Sequence, residues 1–218
     1  MDVLYRTNTL HIASMPLLCD LPRLMSPARL ASVTSLELLW TFDKTGFFTD
    51  TTIRSIWDQA RDPSSTPRQD TPFHELCQMV PRIFPNVRHL YVALQAYLAP
   101  PECPDGDALP HIERLFLRPV EEMFRHLGPA PGKEFSLAIQ RGCWQAFANR
   151  LSMRGPREHR VYRSFDNGGS YQEWIWRPLG NGGVGYSLRP GWDDFAEFGH
   201  HDYWLLGLWG MDHFRGEF

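Results

Sequence analysis

A nine-residue pattern of apolar positions recurs along the chain and constrains its fold more than any other feature. Residues 30–38 read LASVTSLEL, residues 84–92 read FPNVRHLYV and residues 109–117 read LPHIERLFL. Each copy has apolar residues at its first, fourth, seventh and ninth places and ends in the alternation of a half-buried β-strand. The pattern predicts strands near residues 33–39, 87–94 and 113–118, and the weaker match FSLAI predicts a fourth strand at 135–139.

Segments with helical periodicity follow these strands. Apolar residues spaced i, i+3, i+4 and i+7 after a capping or proline signal predict helices over 51–60, 71–80, 119–127 and 143–152. The copies start 54 and 25 residues apart, and the shorter interval is typical of leucine-rich repeats, which span about 20–29 residues. We therefore predict an α/β fold: a short, irregular leucine-rich-repeat-like stack of parallel strands with helices on one side. Another open α/β sheet is the alternative.

The composition changes near residue 160. Residues 161–218 hold 11 of the 17 glycines and five of the eight tryptophans, and their net charge is −4. Short aromatic segments between glycines are typical of β-strands joined by turns. We expect a repeat-like α/β domain over 1–160 and a β-rich Gly/Trp segment over 161–218 that packs on it.

Charge and hydropathy exclude several classes of partner. The net charge of −3 gives no support to nucleic-acid binding, and no apolar run approaches the ~20 residues of a membrane span. Four cysteines lie far apart without a CxxC pair, as expected of reduced thiols in an intracellular protein, cytoplasmic or nuclear. We expect a monomer that binds an unidentified protein and has no cofactor.

One cluster suggests an enzyme as the alternative. His200 and Asp202 would share one face of an extended segment, and His213 follows eleven residues after Asp202. These residue types bind divalent metals, so the neighbourhood favours a metal-dependent hydrolase as the rival function. No complete set of acid, base and nucleophile can be named, so we assign no catalytic residue and no metal ligand.

Two motifs near the N-terminus carry a family resemblance. LYRTNTLHI at 4–12 and LPRLMSPARLASVTSLELLW at 21–40 resemble an uncharacterised fungal domain family, a leucine-rich-repeat-like domain of unknown function. Its members often carry an F-box-like helical segment upstream, and this chain begins inside the motif, so we do not expect that segment here. The resemblance implies a relationship to F-box substrate adaptors and a protein-interaction role.

The predicted strands also define a candidate binding face. If the apolar residues of each copy face the helices, the alternate residues point to the concave side of the stack. Tyr, Phe and Arg at such positions are typical of protein interfaces. The candidate residues are Glu37, His89, Tyr91, Arg114, Phe116 and Arg118. The alternative is that the Trp-rich C-terminal segment covers this face and buries Tyr91 and Phe116.

Overall fold

The computed structural model describes residues 8–41, 72–95, 105–128, 130–154, 161–165, 171–180 and 184–191. The strands are β1 (Thr9–Ile12), β2 (Ser35–Thr41), β3 (His89–Gln95), β4 (Glu134–Ile139), β5 (Val161–Phe165), β6 (Tyr171–Pro178) and β7 (Gly185–Pro190). The helices are α1 (Met15–Leu24), α2 (Pro27–Leu30), α3 (Pro72–Ile83), α4 (Asp105–Ile112), α5 (Arg118–His126) and α6 (Arg141–Arg154). A π-helical turn, Glu113–Leu117, joins α4 to α5.

The strands form one mostly parallel sheet in the order β1-β2-β3-β4-β7-β6-β5. The first four strands lie side by side in chain order, and β7 pairs in parallel with β4. The last two pairings, β7 with β6 and β6 with β5, are antiparallel. The α/β class and the parallel pairing of the strands predicted near 33–39, 87–94 and 135–139 are therefore confirmed.

The described helices bury their apolar sides against one face of this sheet. Parallel strands placed consecutively need crossovers of one hand, which bring the connecting helices to the same face. On that face Phe73 of α3 meets Trp40 of β2 edge-to-face at a 5.4 Å centroid distance. Phe124 of α5 stacks on Phe135 of β4 at 5.0 Å. Apolar residues of β1–β4, β6 and β7 and of the helices thus form one core cluster.

Three of the predicted helices match described ones. The segments predicted at 71–80, 119–127 and 143–152 correspond to α3, α5 and α6. The helix predicted over 51–60 lies outside the described residues. Within the described residues, no helix combines the length and the apolar character that a membrane crossing requires.

The third copy of the nine-residue pattern is helical, so the strand predicted near 113–118 is wrong. Leu109, Ile112 and Phe116 follow the i, i+3, i+7 spacing of a helix face, and all three are buried. Pro119 lacks an N–H and its ring would crowd the carbonyl of Leu115, which favours a wider turn just before it. In that turn the Arg118 N–H donates to the carbonyl of Glu113, five residues back.

The described part of the Gly/Trp segment continues the sheet. Strands β5, β6 and β7 extend it beyond β4, and residues 192–218 lie outside the described residues. Gly185 is required where β7 meets β6. A Cβ atom at this position would lie 2.9 Å from the Trp176 ring and would also clash with the Arg177 carbonyl.

Candidate functional site

Three of the predicted face residues do lie on one face of the sheet, the face opposite the core. Glu37 of β2 pairs in register with Tyr91 of β3, and His89 precedes Tyr91 by two positions on the same strand. All three side chains are partly exposed. The alternation of β2 and β3 was therefore sufficient to assign these residues to the same side.

The other three predicted residues do not lie on that face, because their segment is helical. Phe116 is fully buried and packs against Phe73 of α3 at a centroid distance of 5.8 Å. Arg114 lies near His111, its neighbour one helical turn away, at 3.3 Å. Arg118 is exposed at the start of α5. The third copy of the pattern therefore contributes nothing to the predicted face, and other strands contribute the residues that adjoin Glu37 and Tyr91.

Those other strands extend the row through Glu37 and Tyr91 in both directions. We call the following six residues the polar row, since they occupy successive register positions on the face opposite the core: His11, Glu37, Tyr91, Ser136, Ser187 and Trp176. Neighbouring strands are about 4.8 Å apart, so adjacent side chains of the row can share a ligand. Sequence reasoning missed His11, Ser136 and Ser187 because register between distant strands leaves no local signal.

Two contacts between a histidine and a glutamate lie on the face that carries the polar row. His11 Nδ1 lies 2.9 Å from Glu37 Oε2, and His89 Nδ1 lies 3.5 Å from Glu134 Oε2 nearer the strand starts. Burial raises the pKa of Glu37 above its usual value, and the nearby His11 opposes that shift. The face thus holds one carboxylate that is partly withdrawn from water.

Tyr91 and Arg189 influence each other across this face. Burial, with a smaller contribution from the Glu37 carboxylate, raises the pKa of Tyr91 to about 12, and Arg189 acts in the opposite direction. Arg189 follows Ser187 by two positions on β7 and pairs in register with Ala138 of β4. Burial lowers the pKa of its guanidinium, while Tyr91 and Glu134 oppose that shift. Its Nε atom is buried and, within the described residues, has no hydrogen-bond partner.

A second polar cluster lies on the opposite, helix-covered face. Arg177 of β6 contacts Glu113 in the π-helical turn and Glu121 of α5, and its Nε donates to Glu121 Oε1 at 3.1 Å. Tyr186 of β7 donates its hydroxyl to the same oxygen at 2.9 Å. Burial alone would lower the pKa of Arg177, but Tyr186 and the two carboxylates together raise it. Because these groups satisfy one another, the cluster acts as a buried link between the helices and the sheet.

The described residues offer no group that resembles a metal centre. In that part of the chain, no three His, Cys, Asp or Glu side chains are grouped as a metal ion requires. The residues of the rival metal hypothesis, His200, Asp202 and His213, lie outside the described residues.

Comparison of the chain with family models, with curated proteins and with solved structures finds no match in any of the three. The polar row offers an imidazole, a partly buried carboxylate, three hydroxyl groups and an indole, and the Arg189 guanidinium lies beside them.

Proposed function

We propose that the chain is a non-enzymatic protein-interaction module whose partner docks on the sheet face that carries the polar row. One observation carries this proposal: the two faces of the sheet differ in chemistry. The face toward the helices holds Leu36, Leu90 and Leu137, each almost fully buried. The opposite face holds Glu37, Tyr91 and other polar or aromatic side chains that keep part of their surface in solvent.

The residue types on the polar face support a protein partner. Tyr91, Trp176 and Arg189 belong to the three types that contribute most to binding energy at protein interfaces. Trp174 shares the face of Trp176, two positions away on the same strand. Side chains held by paired strands lose little conformational freedom on binding, which favours affinity.

The order of the strands supports a finer proposal about architecture. Strands β1–β4 lie in chain order and in parallel, with described helices packed on one face. This is also the arrangement of a short leucine-rich-repeat-like stack, whose open side serves as a binding surface. We include in the proposal an intracellular location and the relationship to F-box substrate adaptors that residues 4–40 suggest.

The test places a large side chain at the centre of the polar row. A photo-crosslinking phenylalanine at position 91 identifies a partner in extract of the source cells, and the purified partner is then titrated against variants. We expect Ser136→Trp to weaken its affinity at least about tenfold, which is about 1.4 kcal/mol. Gln78→Trp, which adds the same side chain at an exposed position of α3, should leave the affinity unchanged.

Two results would overturn the proposal. One is equal affinity of the Ser136→Trp variant and the unmodified protein for the purified partner. The other is loss of affinity in the Gln78→Trp variant, because the partner would then contact the helices and not the polar row.

A further inference from the structure

We propose that Arg189, together with the hydroxyl groups of Tyr91, Ser136 and Ser187, binds a single carboxylate of an acidic partner peptide. This inference rests on the proposed function and names the chemistry that the polar face recognises. We call these four residues the carboxylate site.

The Arg189 side chain is charged and partly withdrawn from solvent. Its Nε atom is shielded from solvent and has no acceptor among the described residues, although the residue as a whole remains partly exposed. A guanidinium is always charged in proteins, so Arg189 cannot remove the unsatisfied Nε donor by losing its proton. A buried donor without a partner is costly, and a ligand that brings a negative charge to this guanidinium offsets part of that cost.

Three hydroxyl groups lie on the same face of the sheet as Arg189. Tyr91, Ser136 and Ser187 occupy one register row on three adjacent strands, β3, β4 and β7. Arg189 lies in the next row on the same face, where its register neighbours are Ala138 and, one strand further, Ala93. These small residues leave room for the arginine stem to lie across the sheet toward Tyr91. Tyrosine and serine hydroxyls donate hydrogen bonds, as a carboxylate requires.

The charges on this face decide which anion fits best. The His11–Glu37 and His89–Glu134 contacts are ionic only when the histidine is protonated, whereas the Arg189 guanidinium is always charged and its buried Nε has no hydrogen-bond partner within the described residues. A carboxylate carries one negative charge and matches the planar guanidinium fork. Glu37 and Glu134 repel any anion, and they repel a phosphate monoester, which carries about −1.5 to −2 at neutral pH, more strongly than a carboxylate. The smaller repulsion therefore favours an aspartate or glutamate side chain.

The experiment titrates the whole chain with defined peptides. The probes are a blocked hexaglutamate peptide, a blocked hexaglutamine peptide and inorganic phosphate, observed through the Nε–H resonance of Arg189 and by calorimetry. We expect hexaglutamate to shift that resonance and hexaglutamine to leave it unchanged. Arg189→Gln should weaken hexaglutamate binding at least tenfold, whereas Arg118→Gln, which removes an exposed arginine of α5, should not change it.

A second variant keeps the inference testable if Arg189→Gln does not fold. The Ser136→Ala/Ser187→Ala pair retains the charge and should weaken hexaglutamate about tenfold, since two donors to an anion are lost. Equal losses in the Arg189 and Arg118 variants, no shift of the Arg189 resonance, or tighter binding of phosphate would each overturn the inference. If hexaglutamate does not bind while Ser136→Trp still weakens partner binding, the inference fails and the proposed function stands.

Discussion

Glu37 shows how one residue of the polar row balances opposing effects on its pKa. Burial raises the pKa of its carboxyl above the usual 4.5, and the positive charge that His11 can carry acts against this. Because burial has the larger effect, the folded state binds the Glu37 proton more tightly than the unfolded state does. Glu37 therefore adds stability below its unfolded pKa, and this contribution is lost as the pH rises through the higher folded pKa.

We predict that Glu37→Gln is more favourable to stability at neutral than at acidic pH. The neutral amide carries no charge, whereas the Glu37 carboxyl must lose its proton in a partly buried place, so the free energy of unfolding of the variant minus that of the unmodified protein should rise as the pH increases above 4.5 toward neutrality. Urea unfolding at several pH values measures it. Glu134→Gln, at a side chain that is 76% exposed, is the control and should stay within about 0.5 kcal/mol. A difference that falls as the pH rises contradicts the account.

Arg177 differs from Glu37 in that its charge is largely buried and paired with two carboxylates, those of Glu113 and Glu121. Its side chain is 12% exposed, and it contacts Glu121, which is 13% exposed. The guanidinium also lies 6.0 Å from the centroid of the Phe147 ring on α6. Removal of one partner from such a cluster leaves an uncompensated buried charge.

We predict that Arg177→Met lowers the free energy of unfolding by about 3–5 kcal/mol. Tyr186→Phe is the matched milder change, since it removes only the hydroxyl hydrogen bond to Glu121, and it should cost about 1.5–3 kcal/mol. Chemical denaturation of both variants gives the comparison. A cost below that of Tyr186→Phe for Arg177→Met would mean that the cluster is not a link between sheet and helices.

At the scale of elements, the segment from α4 to α5 shows a case in which the local apolar pattern does not distinguish a strand from a helix. The apolar positions of the pattern in residues 109–117 are separated by three, three and two residues. This spacing fits both the start of a strand and one face of a helix. The copies at 30–38 and 84–92 could be assigned correctly because alternation continues through Trp40 and Leu94, which are both buried. In the third copy, the alternation stops at Arg118 and Pro119, and helical spacing continues with Val120, Met123 and Phe124.

We predict that Phe116→Ala costs about 3–5 kcal/mol, because it empties a fully buried position between α3 and the π-helical turn. Leu24→Ala is the control, since Leu24 is also a large apolar residue but is 66% exposed at the end of α1. Thermal and denaturant unfolding of both variants test the prediction. Equal, small losses would show that Phe116 is an exposed face residue, as the strand interpretation required.

At the scale of the whole molecule, the two faces of the sheet have different roles: one face forms the core with the helices, and the other carries the residues that we propose bind a partner. Residues of one parity face the helices and form the core, and residues of the other parity form the polar row. Local alternation was enough to predict that Glu37 and Tyr91 share a side. It could not predict that Ser136, Ser187 and Arg189 join them, because the pairing of β4 with β7 brings together residues about fifty positions apart in the sequence. Such a pairing depends on the tertiary fold and not on the properties of either segment.

Thiol labelling of one residue tests most directly whether the polar row is open to a partner. In a Ser136→Cys variant, the new thiol lies on the polar face, and the native Cys77 in the core of the same molecule is an internal control. Mass spectrometry follows the reaction of each thiol with an alkylating reagent under native conditions. We predict that Cys77 reacts only through unfolding, that the thiol at position 136 reacts many times faster, and that hexaglutamate slows the reaction at position 136. Equal protection of both thiols would contradict an open polar row, because the polar face would then be covered.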